Sequence, residues 1–241
     1  MENVIFVDKA LYFIQKARVQ CQNRKTHLEK NDKQDPLVED VLEKLMGLEK
    51  YLNKKVEEIV KQHPAYDWFS NIRGIGNLNI GKVFCLIDIE KATTISKLWR
   101  YALGAPINGK VEKREKGKPI HYNAMLKTMC WRLAKSLIRA NGKYAIYYRE
   151  QKKRITEKME QAGYTIISGS EKGKEKVISK GHIDRMAMRK MLKLFLSHLW
   201  LKWREALGLP ITKPYVHEIG GHTSYITPEE MMEAKRTKKN Q

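Results

Sequence analysis

The sequence predicts a mainly α-helical fold, a helical hairpin followed by a basic helical domain. Apolar residues recur at three- and four-residue steps through most of the 241-residue chain. Start and stop signals for helices flank those runs. Alternating strand patterns are nearly absent. An apolar content of 42% suffices for a core.

In the first segment Val4, Val7, Leu11, Ile14 and Val19 form a rough helical stripe. The polar loop Asn31–Pro36 interrupts it. Asp35 is placed to cap a second helix, and Pro36 stands where a first helical residue tolerates a missing N–H. Leu37, Val41, Leu45, Leu48, Leu52, Val56 and Ile59 then give an amphipathic helix. Two such helices around a short loop read as an antiparallel hairpin over 1–64, a spacer or dimerisation arm. His63-Pro64 ends it, because proline pushes the preceding residue out of the helical region.

A basic domain is expected over 65–210. Trp68–Asn77 reads as a short helix, a Gly74-Ile75-Gly76 turn and a second helix opening at Asn77. A loop runs from Gly104 to Gly117. A helix follows from about Tyr122, with Met125, Leu126, Met129, Leu133 and Leu137 inward, stopping at Asn141-Gly142. Another covers Tyr144, Tyr147 and Tyr148 and runs toward Gly163. Residues 164–180 form a polar excursion with room for one strand at Tyr164–Ile167. The last helix spans about Ile183 to Ala206, with Met188, Met191, Leu192, Phe195, Leu199 and Trp203 as its stripe. An extended tail is expected over 211–241, with Lys235–Gln241 frayed.

Charge narrows the partners. Residues 97–204 hold 27 Lys/Arg against 8 Asp/Glu, an excess of 19 within a chain whose net charge is +20. Such a field seeks phosphate, first of all a nucleic-acid backbone. No window approaches 18 uncharged apolar residues, so no membrane span is expected. The start Met1–Phe6 reads as a mature, cytosolic beginning. The three cysteines, Cys21, Cys85 and Cys130, read as reduced thiols.

The Gly74-Ile75-Gly76 turn is the sharpest motif. Glycines let two helices meet closely and let a phosphate approach the backbone. The N–H groups opening the second helix would face that phosphate, so Arg73, Gly74, Gly76, Asn77 and Lys82 are candidate contacts. A plain structural turn is the competing reading. Further candidates are Arg100 and the loop cations Lys110, Lys113, Arg114, Lys116 and Lys118. On the 122–140 helix they are Lys127, Arg132, Lys135 and Arg139. Arg185, Arg189 and Lys193 form a row on the last helix, spaced four residues apart. His121 and Tyr122, with Asn123 beside them, could stack on unpaired bases. Trp99 could do so too, or belong to the core.

Catalytic constellations are weak. Asp184 is the only Asp within 97–204, so no acid cluster for two metal ions can be assembled there. No serine occurs from Lys97 through Lys135. His217 and His222 lack Cys partners at zinc spacing. No cofactor is expected, and the chain reads as a binder rather than an enzyme.

Three ordered runs carry a resemblance: Ile72–Gly76, Ile95–Ala102 and Tyr122–Lys127, with a basic glycine-containing loop between the last two. Together they resemble the C-terminal half of bridge-RNA-guided insertion-sequence transposases and the Nop domain of box C/D ribonucleoproteins. The runs Gly181–Trp200, Gly208–Pro210 and Pro214–Val216 are most similar to the Tas proteins of TIGR systems, which hold a short guide RNA in a Nop-like domain and pair it with DNA. The resemblance covers roughly 35–228. It implies a guide RNA and guide-paired target DNA as partners, and a homodimer. Both guided families carry a RuvC-like nuclease domain, for which no counterpart is expected in the helical residues 1–64 before the Gly74-Ile75-Gly76 turn. Where the transposases place a nucleophilic serine, this chain has Ile107-Asn108-Gly109. The resemblance therefore implies the nuclease-free Tas type. The alternatives are a transposase portion acting with a separate nuclease, or a box C/D-like scaffold.

Overall fold

The computed structural model describes residues 2–107, 110–112, 114–169, 175–212 and 226–233. The fold is mainly α. Among the described residues there are eight helices and two small two-stranded ladders. The chain forms two compact units. One gathers the chain up to Tyr66 with Gly76–Ile87; the other holds Asp67–Ile75 and the chain from Asp88 onward.

The first unit is built on α1 (Glu2–Glu29) and α2 (Pro36–Lys61). Asp35 caps α2 by accepting from the Leu37 N–H at 3.1 Å, and Pro36 is its first residue. Lys25 pairs with Glu39 at 3.1 Å and Arg18 with Glu49, so the two helices run antiparallel. The apolar stripe of α2 is wider than α1 can cover. Val38, Leu42, Leu52 and Val56 are buried, while Leu37, Val41 and Leu48, one step around the helix, stay exposed. Phe6, Tyr12 and Phe13 of α1 are exposed as well. The helix α4 (Asn77–Leu86) packs on this pair, so 76–87 joins the first unit and not the basic domain. Gly81 permits the approach, since a Cβ there would stand 2.8 Å from Val56 Cγ1.

In the second unit α8 (Lys180–Ala206) is the hub against which α5 (Ile95–Leu103), α6 (Ala124–Ala140) and α7 (Lys143–Gln161) pack. The short helix α3 (Tyr66–Ser70) brings Trp68 and Phe69 to its aromatic core beside Tyr144 and Phe195. All six residues of the expected α8 stripe are buried. The ladder β1 (Pro106–Ile107) with β2 (Lys110–Val111) is antiparallel, and β3 (Thr165–Ile167) with β4 (Val177–Ser179) is parallel. Met125 is not inward. It is 71% exposed, because it lies about a quarter turn from the buried line through Leu126, Met129, Leu133 and Leu137. Asn141 ends α6 in the left-handed conformation, φ 55°.

Part of the expected tail is folded. Residues 226–233 dock on the second unit: the Ile226 carbonyl lies 2.8 Å from His198 Nε2, and Met231 is buried. Glu233 accepts from the Lys143 N–H at 2.6 Å, at the start of α7, where Gly142 supplies no side-chain cap. Glu233→Ala is expected to cost about 1 kcal/mol, the usual worth of a helix N-cap, and to lower Tm by about 2–4 °C in a thermal melt. The expected frayed end Lys235–Gln241 lies outside the described residues, as do His217, His222 and the run Pro214–Val216.

Candidate nucleic-acid interface

At the glycine turn the two glycines do different work. Gly74 has φ +97°, and a Cβ there would stand 2.8 Å from Ala140 Cβ and 3.0 Å from the Ser136 carbonyl oxygen. Ser136 Oγ also donates to the Gly74 carbonyl at 2.7 Å. Gly74 thus serves the packing of this turn against α6. Gly76 has an ordinary φ of −98°, and a Cβ there would meet nothing within 4 Å. It opens α4 with no side-chain cap. Asn77 Oδ1 accepts from the Tyr66 hydroxyl at 3.0 Å. Lys82 is spent within the first unit, paired with Asp8 at 2.8 Å. Arg73 is exposed.

The start of α4 borders an open groove of about 960 Å³ in the first unit, lined on the other side by Lys50, Tyr51, Lys54 and the acid Glu57 of α2. In sequence those lysines lie among the acids Glu49, Glu57 and Glu58. Only the fold brings them opposite Gly76–Asn79.

In the second unit several predicted contacts turn inward. Arg189 donates from Nη1 to the Leu103 carbonyl at 3.0 Å and from Nη2 to the Gly104 carbonyl at 2.7 Å, which satisfies the C-terminal end of α5. Gly104 ends that helix with φ +74°. Lys193 lies 4.7 Å over the Trp99 ring, whose Nε1–H donates to the Lys193 carbonyl at 3.0 Å. Lys127 donates to the Glu112 carbonyl at 3.2 Å and sits 3.8 Å over the Tyr122 ring. Burial, and then the neighbouring Arg189 guanidinium, push both ammonium groups below the ordinary lysine range. Asn123 caps α6 through the Leu126 N–H at 3.0 Å and also donates to the Tyr101 hydroxyl at 2.7 Å. His121 Nδ1 lies 3.0 Å from Glu112 Oε1. So Arg189, Lys193, Lys127, Tyr122 and Asn123 hold α5, α6 and α8 together around the loop. Arg100, Arg114 and Lys116 are exposed, and Lys118 pairs with Glu115 at 2.6 Å. Of Lys110 only the backbone is described, and Lys113 lies outside the described residues.

The outward face of α6 has a different character. Thr128, Trp131, Arg132, Lys135 and Arg139 are all exposed, spaced so that they share the side opposite the buried line. The helix contains no Asp or Glu. Among the described residues none of Arg132, Lys135 and Arg139 forms an ion pair. The nearby acid Asp184 is already engaged, by the Tyr148 hydroxyl and by Lys152 at 2.9 Å. Burial opposes its ionised form, but those two partners, with a smaller pull from Lys135, outweigh burial and hold its carboxyl below the ordinary value. Arg185 is exposed one residue further along α8.

No family model, curated protein or solved structure matches this chain. Among the described residues no group of three or more His, Cys, Asp or Glu could hold a metal ion, and no helix is long and apolar enough to cross a membrane.

Proposed function

We propose that this chain binds RNA, and more narrowly that it holds a guide RNA which pairs with target DNA, without cutting either strand. The observation that carries the binding is the outward face of α6, a row of exposed cations none of which forms an ion pair among the described residues. Like charges at three- and four-residue steps repel one another, so such a row is a liability unless an anion faces it. The excess of 19 positive charges over 97–204 extends the same field. The open start of α4 beside Lys50 and Lys54 is a second place suited to a phosphate. The narrowing to a guide RNA rests on the resemblance to Tas proteins. The absence of cutting rests on the acids: Asp184, alone of its kind in the basic stretch, is committed to Tyr148 and Lys152. Exposed Leu37, Val41 and Leu48 on α2, with Phe6 and Phe13 on α1, support a homodimer through the first unit.

The test is purification without nuclease. The expected result is a strong absorbance at 260 nm that RNase removes and DNase does not, and sequencing that returns one short recurrent RNA. A signal lost to DNase alone overturns the reading. Strand cleavage or joining by the pure protein with Mg²⁺ would favour a transposase portion instead. Failure of the RNA-loaded protein to capture complementary DNA would favour a scaffold.

A further inference from the structure

Trp131 is the one large aromatic side chain among the exposed cations of α6, and nothing in the fold accounts for its exposure. It is 43% exposed. Its neighbours in sequence, Cys130, Leu133 and Ala134, are buried, so the helix cannot rotate to bring the indole inward. Lys135 stands over one ring face, 5.2 Å from the centroid. That contact holds the indole in place, and the side chain stays exposed beside it. Arg132 and Thr128 flank it on the same exposed side. The aromatic groups first expected to stack are less free: Tyr122 and Trp99 are half-buried, with Lys127 and Lys193 over their rings.

We infer that Trp131 is a stacking platform for an unpaired base of single-stranded RNA, with Arg132, Lys135 and Arg139 holding the flanking phosphates. This deepens the RNA-binding reading and rests on it. The charge around the indole decides the occupant. A protein partner would have to present acids to all three cations, whereas a single strand brings one phosphate per nucleotide and a planar base between phosphates. Stacking of a base on an aromatic ring is tolerant of sequence and works only where the base is unpaired. An indole therefore distinguishes single strands from duplexes, which the cations alone do not.

The experiment compares wild type, Trp131→Ala and Trp131→Phe on an oligouridylate of about 12 nucleotides and on an RNA duplex of the same length, each across a salt series. Trp131→Ala is expected to bind the single strand roughly 5- to 100-fold more weakly, the usual worth of one stacked base. The duplex should change less than about two-fold, and the salt slope should stay that of wild type, since no phosphate contact is lost. Trp131→Phe should recover most of the loss. Because the side chain is exposed, the variants are expected to fold, which circular dichroism checks. Equal losses on both ligands, or no loss on the single strand, overturn the assignment. So does a Trp131→Ala variant whose only change is its oligomeric mass or its binding to phosphatidylserine vesicles. If wild type binds neither RNA, the RNA-binding reading itself falls; if wild type binds and Trp131→Ala binds equally well, only the stacking platform does.

Discussion

Gly74→Ala is expected to lower stability by about 3 kcal/mol. Two costs add. A non-glycine residue at a clearly positive φ costs about 1–2 kcal/mol, and Gly74 sits at φ +97°. The new methyl would also press on the backbone of α6, 2.8 Å from Ala140 Cβ and 3.1 Å from Leu137 Cα, and overpacking of that kind costs about 1–3 kcal/mol. For a chain of this length the thermal midpoint should fall by about 6–12 °C. Gly76→Ala is the control. Its φ is ordinary and open space surrounds it, so it should cost only the poorer capping of alanine, about 1 kcal/mol or less. Gly76→Ser should stabilise by a few tenths of a kcal/mol, by giving α4 the side-chain cap that it lacks. Equal midpoints for Gly74→Ala and Gly76→Ala would sink this division of labour. The pair matters for function, because RNA binding lost in a Gly74 variant would report a damaged fold and not a phosphate contact.

What was legible in the sequence was local. The Asp35-Pro36 start of α2 and the Asn141 stop of α6 follow from capping chemistry within a few residues, and both appear in the structure. The α8 stripe followed from its period. What was not legible joins distant residues. Lys82 finds Asp8 across 74 positions, Arg189 finds the Gly104 carbonyl across 85, and Glu233 reaches the start of α7 across 90. Nothing in the neighbourhood of Lys82 or Arg189 distinguishes it from a free surface cation, so a list of candidate contacts drawn from charge alone mixes structural cations with available ones. Trp131 was missed for a different reason. Its signal was local, an aromatic residue at the helical spacing of Arg132, Lys135 and Arg139, on the side opposite the apolar line. It would have been found by reading both faces of that helix and not the apolar one only.

Replacing Arg132, Lys135 and Arg139 together by Gln should weaken single-stranded RNA binding roughly 100-fold at about 0.1 M salt. Each phosphate contact on a single strand contributes about 0.7 to the slope of log affinity against log salt, so three lost contacts remove about two units of slope. The same variant should stay within about 0.5 kcal/mol of wild-type stability. All three side chains are exposed and among the described residues none forms an ion pair; Lys135 gives up only its attraction to Asp184 and its place over the Trp131 ring. Their mutual repulsion, a few tenths of a kcal/mol for each pair at three or four residues, disappears with them. A row whose removal leaves the fold nearly unchanged, yet weakens RNA binding, is placed there for the ligand. Arg189→Gln should behave in the opposite way. It strips the donors from the Leu103 and Gly104 carbonyls, so its thermal midpoint should fall while the salt slope of whatever binding survives keeps its wild-type value. If the triple variant keeps the wild-type slope, the outward face of α6 is a solvated surface, and the search for the phosphate site moves to the groove between α2 and the start of α4.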